Sequence, residues 1–176
     1  MNCGSCGKRT GSNDLCMSCS ANAVEKRAKK TLSKSGILKD SGIMVVNDGS
    51  CEGEVNANLV KKLVTATKNI KYVKNIPENS SSYDFISIPD TADTQAEELM
   101  DFMLNANAEK SPAGAVRLLK DSLGSEVAAY AKTKRIKYRK RETCTDVAAL
   151  IYKLENRCKG TIHALAKASG QVKWRK

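Results

Sequence analysis

Four cysteines near the N-terminus constrain this chain more than any other feature. Cys3, Cys6, Cys16 and Cys19 form two Cys-x-x-Cys pairs with nine residues between them. Each pair makes a tight turn that aims two thiolates at one point. Two such turns close a tetrahedral site with sulfur about 2.3 Å from the metal. A segment this short has no room for an apolar core, so bound metal supplies most of its folding energy. Four thiolates leave no open coordination position, which makes the metal structural. Zn2+ is the expected ion, with an iron–sulfur cluster or redox thiols as the alternatives. Lys8 and Arg9 stand close by to offset the surplus negative charge. The other three cysteines, Cys51, Cys144 and Cys158, share no spacing. An odd total of this kind points to reduced cytosol and a metal site, not to a disulfide framework.

The remaining chain is long enough for one domain beyond that module: 176 residues in all, 41% of them hydrophobic. Thirty Lys and Arg against 19 Asp and Glu leave a net charge of +11. That surplus points to a polyanionic partner, nucleic acid first. No apolar run approaches the ~20 residues of a membrane-spanning helix, and the N-terminus lacks a secretory apolar stretch. A cytoplasmic protein without a membrane partner is expected.

Pattern along the chain predicts alternating strands and helices. Residues 21–34 read as a basic helix, ended by Ser35-Gly36. Ile43-Met44-Val45-Val46 is a short β-branched run of the buried parallel type. A helix is expected over 55–68, strands at 71–74 and 84–88, and an amphipathic helix over 93–106. Residues 111–119 read as irregular. A helix over 122–134, capped by Ser122 or Ser125, precedes closing helices at 144–158 and 161–169. Such strand–loop–helix repeats argue for an α/β fold with a small parallel, Rossmann-like sheet. The expected organisation is a zinc module at 1–20, a basic helical linker at 21–35, the α/β domain at 36–170 and a basic tail at 171–176.

Charge is segregated along this path. Residues 75–109 contain acidic side chains and no basic ones. The stretch 132–141 carries Lys132, Lys134, Arg135, Lys137, Arg139, Lys140 and Arg141, with Ile136 and Tyr138 interleaved. Alternation would turn Ile136 and Tyr138 inward and the basic residues outward. Together with Lys26, Arg27, Lys29 and Lys30, these side chains are candidate phosphate contacts, and binding through them would be strongly salt-dependent. The plainer reading is a solvated loop or edge strand. Trp174 in the tail offers a base-stacking surface, although a disordered end is the simpler expectation.

The loop after the first strand is Asn47-Asp48-Gly49-Ser50-Cys51-Glu52. A strand, a short polar loop and a helix make the usual setting of a phosphate-binding motif. The order of zinc module, basic helix, strand and loop resembles the tRNA 2-thiouridine synthases of the PP-loop ATP-pyrophosphatase superfamily. Asp93, Ala96 and Leu99-Met100 resemble part of that family's Gly-His-Asn-Leu-Asp-Asp segment. Glu126-Val127-Ala128-Ala129-Tyr130-Ala131, Leu154-Glu155 and Gly160-Thr161 resemble its later elements. The family loop reads Ser-Gly-Gly-Lys-Asp-Ser, and here Ser50 replaces the Lys while Asp48 and Glu52 add carboxylates that repel a triphosphate. No central Cys-x-x-Cys pair is present either. The resemblance therefore implies the subunit of the cytosolic thiouridylase complex that has lost its loop motif. That subunit would be no enzyme and would use no ATP, with a weak activity from an unorthodox site using Cys51, His163 or Glu52 as a further alternative. It would dock on a catalytic tRNA thiolase, with its acidic stretch facing the partner, and help to bind tRNA for 2-thiolation of the wobble uridine. A stand-alone zinc-containing nucleic-acid binder is the alternative. Cys51 and Cys144 read as ordinary thiols before a sulfur-relay pair. His163, the only histidine, reads as a packed or surface residue before a base.

Overall fold

The computed structural model describes residues 2–9, 15–37, 42–64, 69–77, 82–105, 112, 114–139 and 146–171. Residues 38–40, Lys140, Arg141, Cys144 and Trp174 lie outside these. The elements run α1 (Met17–Lys34), β1 (Ile43–Val46), α2 (Cys51–Leu63), β2 (Ile70–Val73), β3 (Phe85–Ser87), α3 (Ala92–Asn105), β4 (Ala115–Val116), α4 (Gly124–Thr133), α5 (Asp146–Arg157) and α6 (Thr161–Ser169). The four strands form one parallel sheet in the order β2-β1-β3-β4. The α/β class expected from sequence is observed. The fourth strand is a correction: it lies inside a stretch read as irregular.

Burial explains the arrangement. In β1, Ile43, Met44 and Val45 are all buried, as a central strand covered on both faces requires. Ile43 and Val45 pack with Val55, Leu59 and Val60 of α2 and with Val127, Tyr130 and Ala131 of α4. On α1, Ala21, Val24 and Ala28 recur at helical spacing and join the same core. Burying side chains the size of Leu59 or Leu119 contributes about 1.5–3 kcal/mol each. A second group, α3 with α5 and α6, packs around Ala92, Ala96, Ile151 and Ile162.

One polar network ties three helices together. The Tyr130 hydroxyl lies 3.2 Å from both Glu25 Oε1 and Asn58 Oδ1. Lys62 and Lys134 reach the same Glu25 oxygen at 2.7 and 3.3 Å. Burial pushes the Glu25 carboxyl up, but the bonds and charges of the two lysines outweigh it and hold the group below its ordinary value. A carboxylate depressed on folding stabilises the protein above its unfolded pKa, and that stability is lost as pH falls through the folded pKa. Glu25→Gln should therefore cost about 1 kcal/mol near neutrality and nothing in acid. Denaturant melts across the acid range read this difference directly.

Candidate metal centre and nucleic-acid interface

The N-terminal segment brings its four cysteines together. Cys3 N–H donates to the Lys8 carbonyl at 2.7 Å, and Gly7, at φ +73°, turns the chain between them. Cys16 caps α1 from outside, and Cys19 sits in that helix's first turn. The helix starts four residues before the sequence expectation, so the second pair straddles its N-terminus, where the Cys19 backbone N–H lowers the Cys16 pKa. The four Sγ atoms all lie within 4.8 Å of one another. Cys6 and Cys16 approach to 3.6 Å, and Cys16 N–H donates to Cys3 Sγ at 3.3 Å. That amide is the main cause of a Cys3 pKa pushed down to about 6. A cluster of thiols this tight, with Cys3 and Cys16 both inclined to ionise, fits a bound metal ion.

The β1–α2 loop is shorter than expected. Cys51 and Glu52 belong to α2, leaving Asn47, Asp48, Gly49 and Ser50 as the connection. Each polar side chain of that loop accepts from a local backbone amide. Asn47 Oδ1 takes Gly49 N–H at 2.9 Å, Asp48 Oδ1 takes Ser50 N–H at 3.0 Å, and Ser50 Oγ takes Gly53 N–H at 3.0 Å. An incoming anion would have to displace them. Gly53 is what permits this fold: an added Cβ would stand 2.7 Å from Asp48 Oδ1 and 2.8 Å from Asn47 Oδ1. Gly53→Ala should push both side chains off the loop, and Gly49 and Ser50 amides should then exchange with solvent severalfold faster. Cys51 is half-buried, and burial followed by the neighbouring Glu52 raises its pKa to about 11. It is a protonated thiol at neutral pH.

The sheet order reverses between β1 and β3, the usual position of a ligand site in such sheets. Asp93 is buried in the first turn of α3, the helix that follows β3. Its carboxylate accepts from Gly124 N–H at 2.5 Å and from the Tyr152 hydroxyl at 3.1 Å. The N-terminus of α4 is thus capped from another element. Leu123 is its N-cap, with Leu123 N–H donating to Glu126 at 2.9 Å. Neither Ser122 nor Ser125 plays that part.

The basic residues divide into two kinds. Lys26, Lys29 and Lys30 on α1, Lys132 on α4, and Arg135, Lys137 and Arg139 beyond it are exposed. Arg27 is paired with Glu126 at 2.5 Å, and Lys134 is held by Glu25 and stands 5.8 Å from the Tyr130 ring centre. Arg135, at φ +54°, ends α4 with Ile136 N–H bonded back to the Ala131 carbonyl at 2.9 Å. The chain then crosses to the β1–α2 loop, where Arg139 N–H donates to the Gly49 carbonyl at 2.8 Å. Ile136 turns inward as expected. Tyr138 does not: it is 38% exposed. His163 is exposed on α6. No helix among the described residues is long and apolar enough to cross a membrane.

No family model matches the sequence, and no curated protein matches it. The fold, by contrast, has a solved counterpart in the U34-tRNA thiolase NcsA from Methanococcus maripaludis with its 4Fe–4S cluster. The TM-score is 0.76 at 15% identity, over 97% of this chain and 86% of that one. This corrects the expectation that the chain is no enzyme. The counterpart is a thiolase, and nothing in the described residues marks the present chain as degenerate. A four-cysteine cluster that can hold a metal, followed by a four-stranded parallel α/β domain, gives this chain a fold similar to that of the U34-tRNA thiolase.

Proposed function

We propose that this chain acts in tRNA thiolation at the wobble uridine, in the cytoplasm, as a subunit that pairs with a second thiolase-fold chain and supplies tRNA-binding surface. The observation that carries the proposal is the fold match to a U34-tRNA thiolase over 97% of the chain. The sequence adds a net charge of +11 and the acid-only stretch 75–109, which suits a basic surface on the partner. Lys26, Lys29, Lys30, Lys132, Arg135, Lys137 and Arg139 are the phosphate contacts, with Lys140 and Arg141 continuing the same run. Arg27 and Lys134 serve the protein's own ion pairs first.

The four cysteines hold Zn2+ in this reading. Sulfurs around one tetrahedral ion at ~2.3 Å stand about 3.8 Å apart, and the observed limit of 4.8 Å is close to that. Thiolates on a four-iron cluster each bind a different iron and stand farther apart. Affinity purification of the tagged chain from its native cells, followed by mass spectrometry, tests the pairing. A thiolase-fold chain should come with it in near-equal amount. Recovery of RNA or ribosomal proteins without such a chain would contradict the proposal and favour a stand-alone nucleic-acid binder.

A further inference from the structure

A cleft of about 370 Å³ opens beside α2, where the sheet ends in its edge strand β2. Glu54, Asn58 and Lys61 line it from α2, at a spacing that puts them on one helix face. Tyr72 of β2 enters it with 47% of its surface exposed. Asn47 borders it from the β1–α2 loop, and Ile136 from the segment after α4.

The chemistry of this lining is specific. Asn47 Oδ1 is held by Gly49 N–H and Asn58 Oδ1 by the Tyr130 hydroxyl. Both side chains are therefore fixed, and their N–H2 groups remain as donors. Glu54 supplies an acceptor and Lys61 a positive charge. An exposed Tyr ring and the aliphatic Ile136 add flat and apolar surface. Lys137, also exposed, follows Ile136 directly. Unpaired RNA bases are recognised by this combination: stacking on an aromatic face, hydrogen bonds to the base edge, and cations for the flanking phosphates.

We propose that the cleft takes an unpaired RNA base, stacked on Tyr72, with Asn47, Asn58 and Glu54 at its edge and Lys61 and Lys137 on adjacent phosphates. This rests on the RNA-binding reading above and adds to it a preference for single-stranded over duplex segments.

Fluorescence anisotropy of the full chain tests it, with a short single-stranded oligoribonucleotide, the same strand annealed to its complement, and unmodified tRNA as probes. The wild type should favour the single strand over the duplex. Tyr72→Ala should weaken single-strand binding about tenfold or more, since a base–aromatic stack is worth ~1–3 kcal/mol, and leave duplex binding unchanged. Tyr72→Phe should keep wild-type affinity, because stacking does not use the hydroxyl. Lys61→Ala, at an exposed position, should weaken the single strand in the same direction, so the result does not hang on one variant. Unchanged single-strand affinity in Tyr72→Ala, with the wild type still binding, would overturn the cleft and leave the RNA-binding reading standing. Failure of the wild type to bind any probe would overturn both.

Discussion

Stripping the metal from the N-terminal cluster should unfold residues 2–9 and the first turn of α1 and leave the sheet in place. The reason lies in where each part finds its stability. Among the described residues 2–9 only Cys3 is buried, whereas α1 is buried from Ser20 onward, with Ala21, Val24 and Ala28 in the main core. Binding energies for structural four-ligand zinc are about 10–16 kcal/mol, more than a segment of this size gains from its own contacts. A thiol-reactive mercurial should release one equivalent of zinc per chain, with partial loss of helical circular dichroism. Cys6→Ser or Cys16→Ser should lower metal content to near zero. Cys51→Ser and Cys158→Ser should leave it unchanged, since neither belongs to the cluster. Iron at about four equivalents per chain, together with inorganic sulfide, would contradict the single-ion assignment.

The second large effect is expected in the salt dependence of tRNA binding. A chain that neutralises six or more phosphates loses roughly 1,000-fold or more in affinity between 50 and 200 mM salt. Seven candidate cations are exposed: Lys26, Lys29, Lys30, Lys132, Arg135, Lys137 and Arg139. Replacing Lys137 and Arg139 together by Ala should reduce the slope of log affinity against log salt by about 1.5, at about 0.7–0.9 per contact. Arg27→Ala should behave differently. It removes the partner of Glu126, which also caps α4, so stability should fall while the salt slope holds. A titration series at several salt concentrations, with a melt on each variant, separates the two kinds of basic residue. Equal slopes in the wild type and the double variant would remove this segment from the interface.

What was legible in the sequence was carried by spacing and by local preference. The four-cysteine cluster and the β-branched Ile43–Val46 are observed where expected, although the second Cys-x-x-Cys opens α1 and is not a turn of its own. Tertiary contacts decided the parts that were not legible. The two residues of β4 pair with Ile86 and Ser87, a contact no local pattern announces. Gly53 argues against a helix start, yet the Ser50 cap, the acidic Glu52 and Glu54 in the first turn and the room Gly53 gives to Asn47 and Asp48 begin α2 at Cys51. The cap on α4 comes partly from Asp93, 31 residues earlier. Tyr138 follows the strand-like alternation in sequence, but the segment crosses to the loop without joining the sheet. The loop substitutions spoke about affinity for phosphate, and extending them to the absence of enzymatic activity went further than the fold supports. The signal for Tyr72 is local: Lys71-Tyr72-Val73-Lys74 places an aromatic among basic residues, a pattern that can mark a nucleic-acid contact.

The most direct measurement is the level of 2-thiouridine at position 34 in tRNA from cells depleted of this chain, read by nucleoside mass spectrometry and compared with cells in which it is restored. The thiolated nucleoside should fall severalfold on depletion and return with the wild-type chain but not with Cys6→Ser. Unchanged thiolation in depleted cells would contradict a role in this modification.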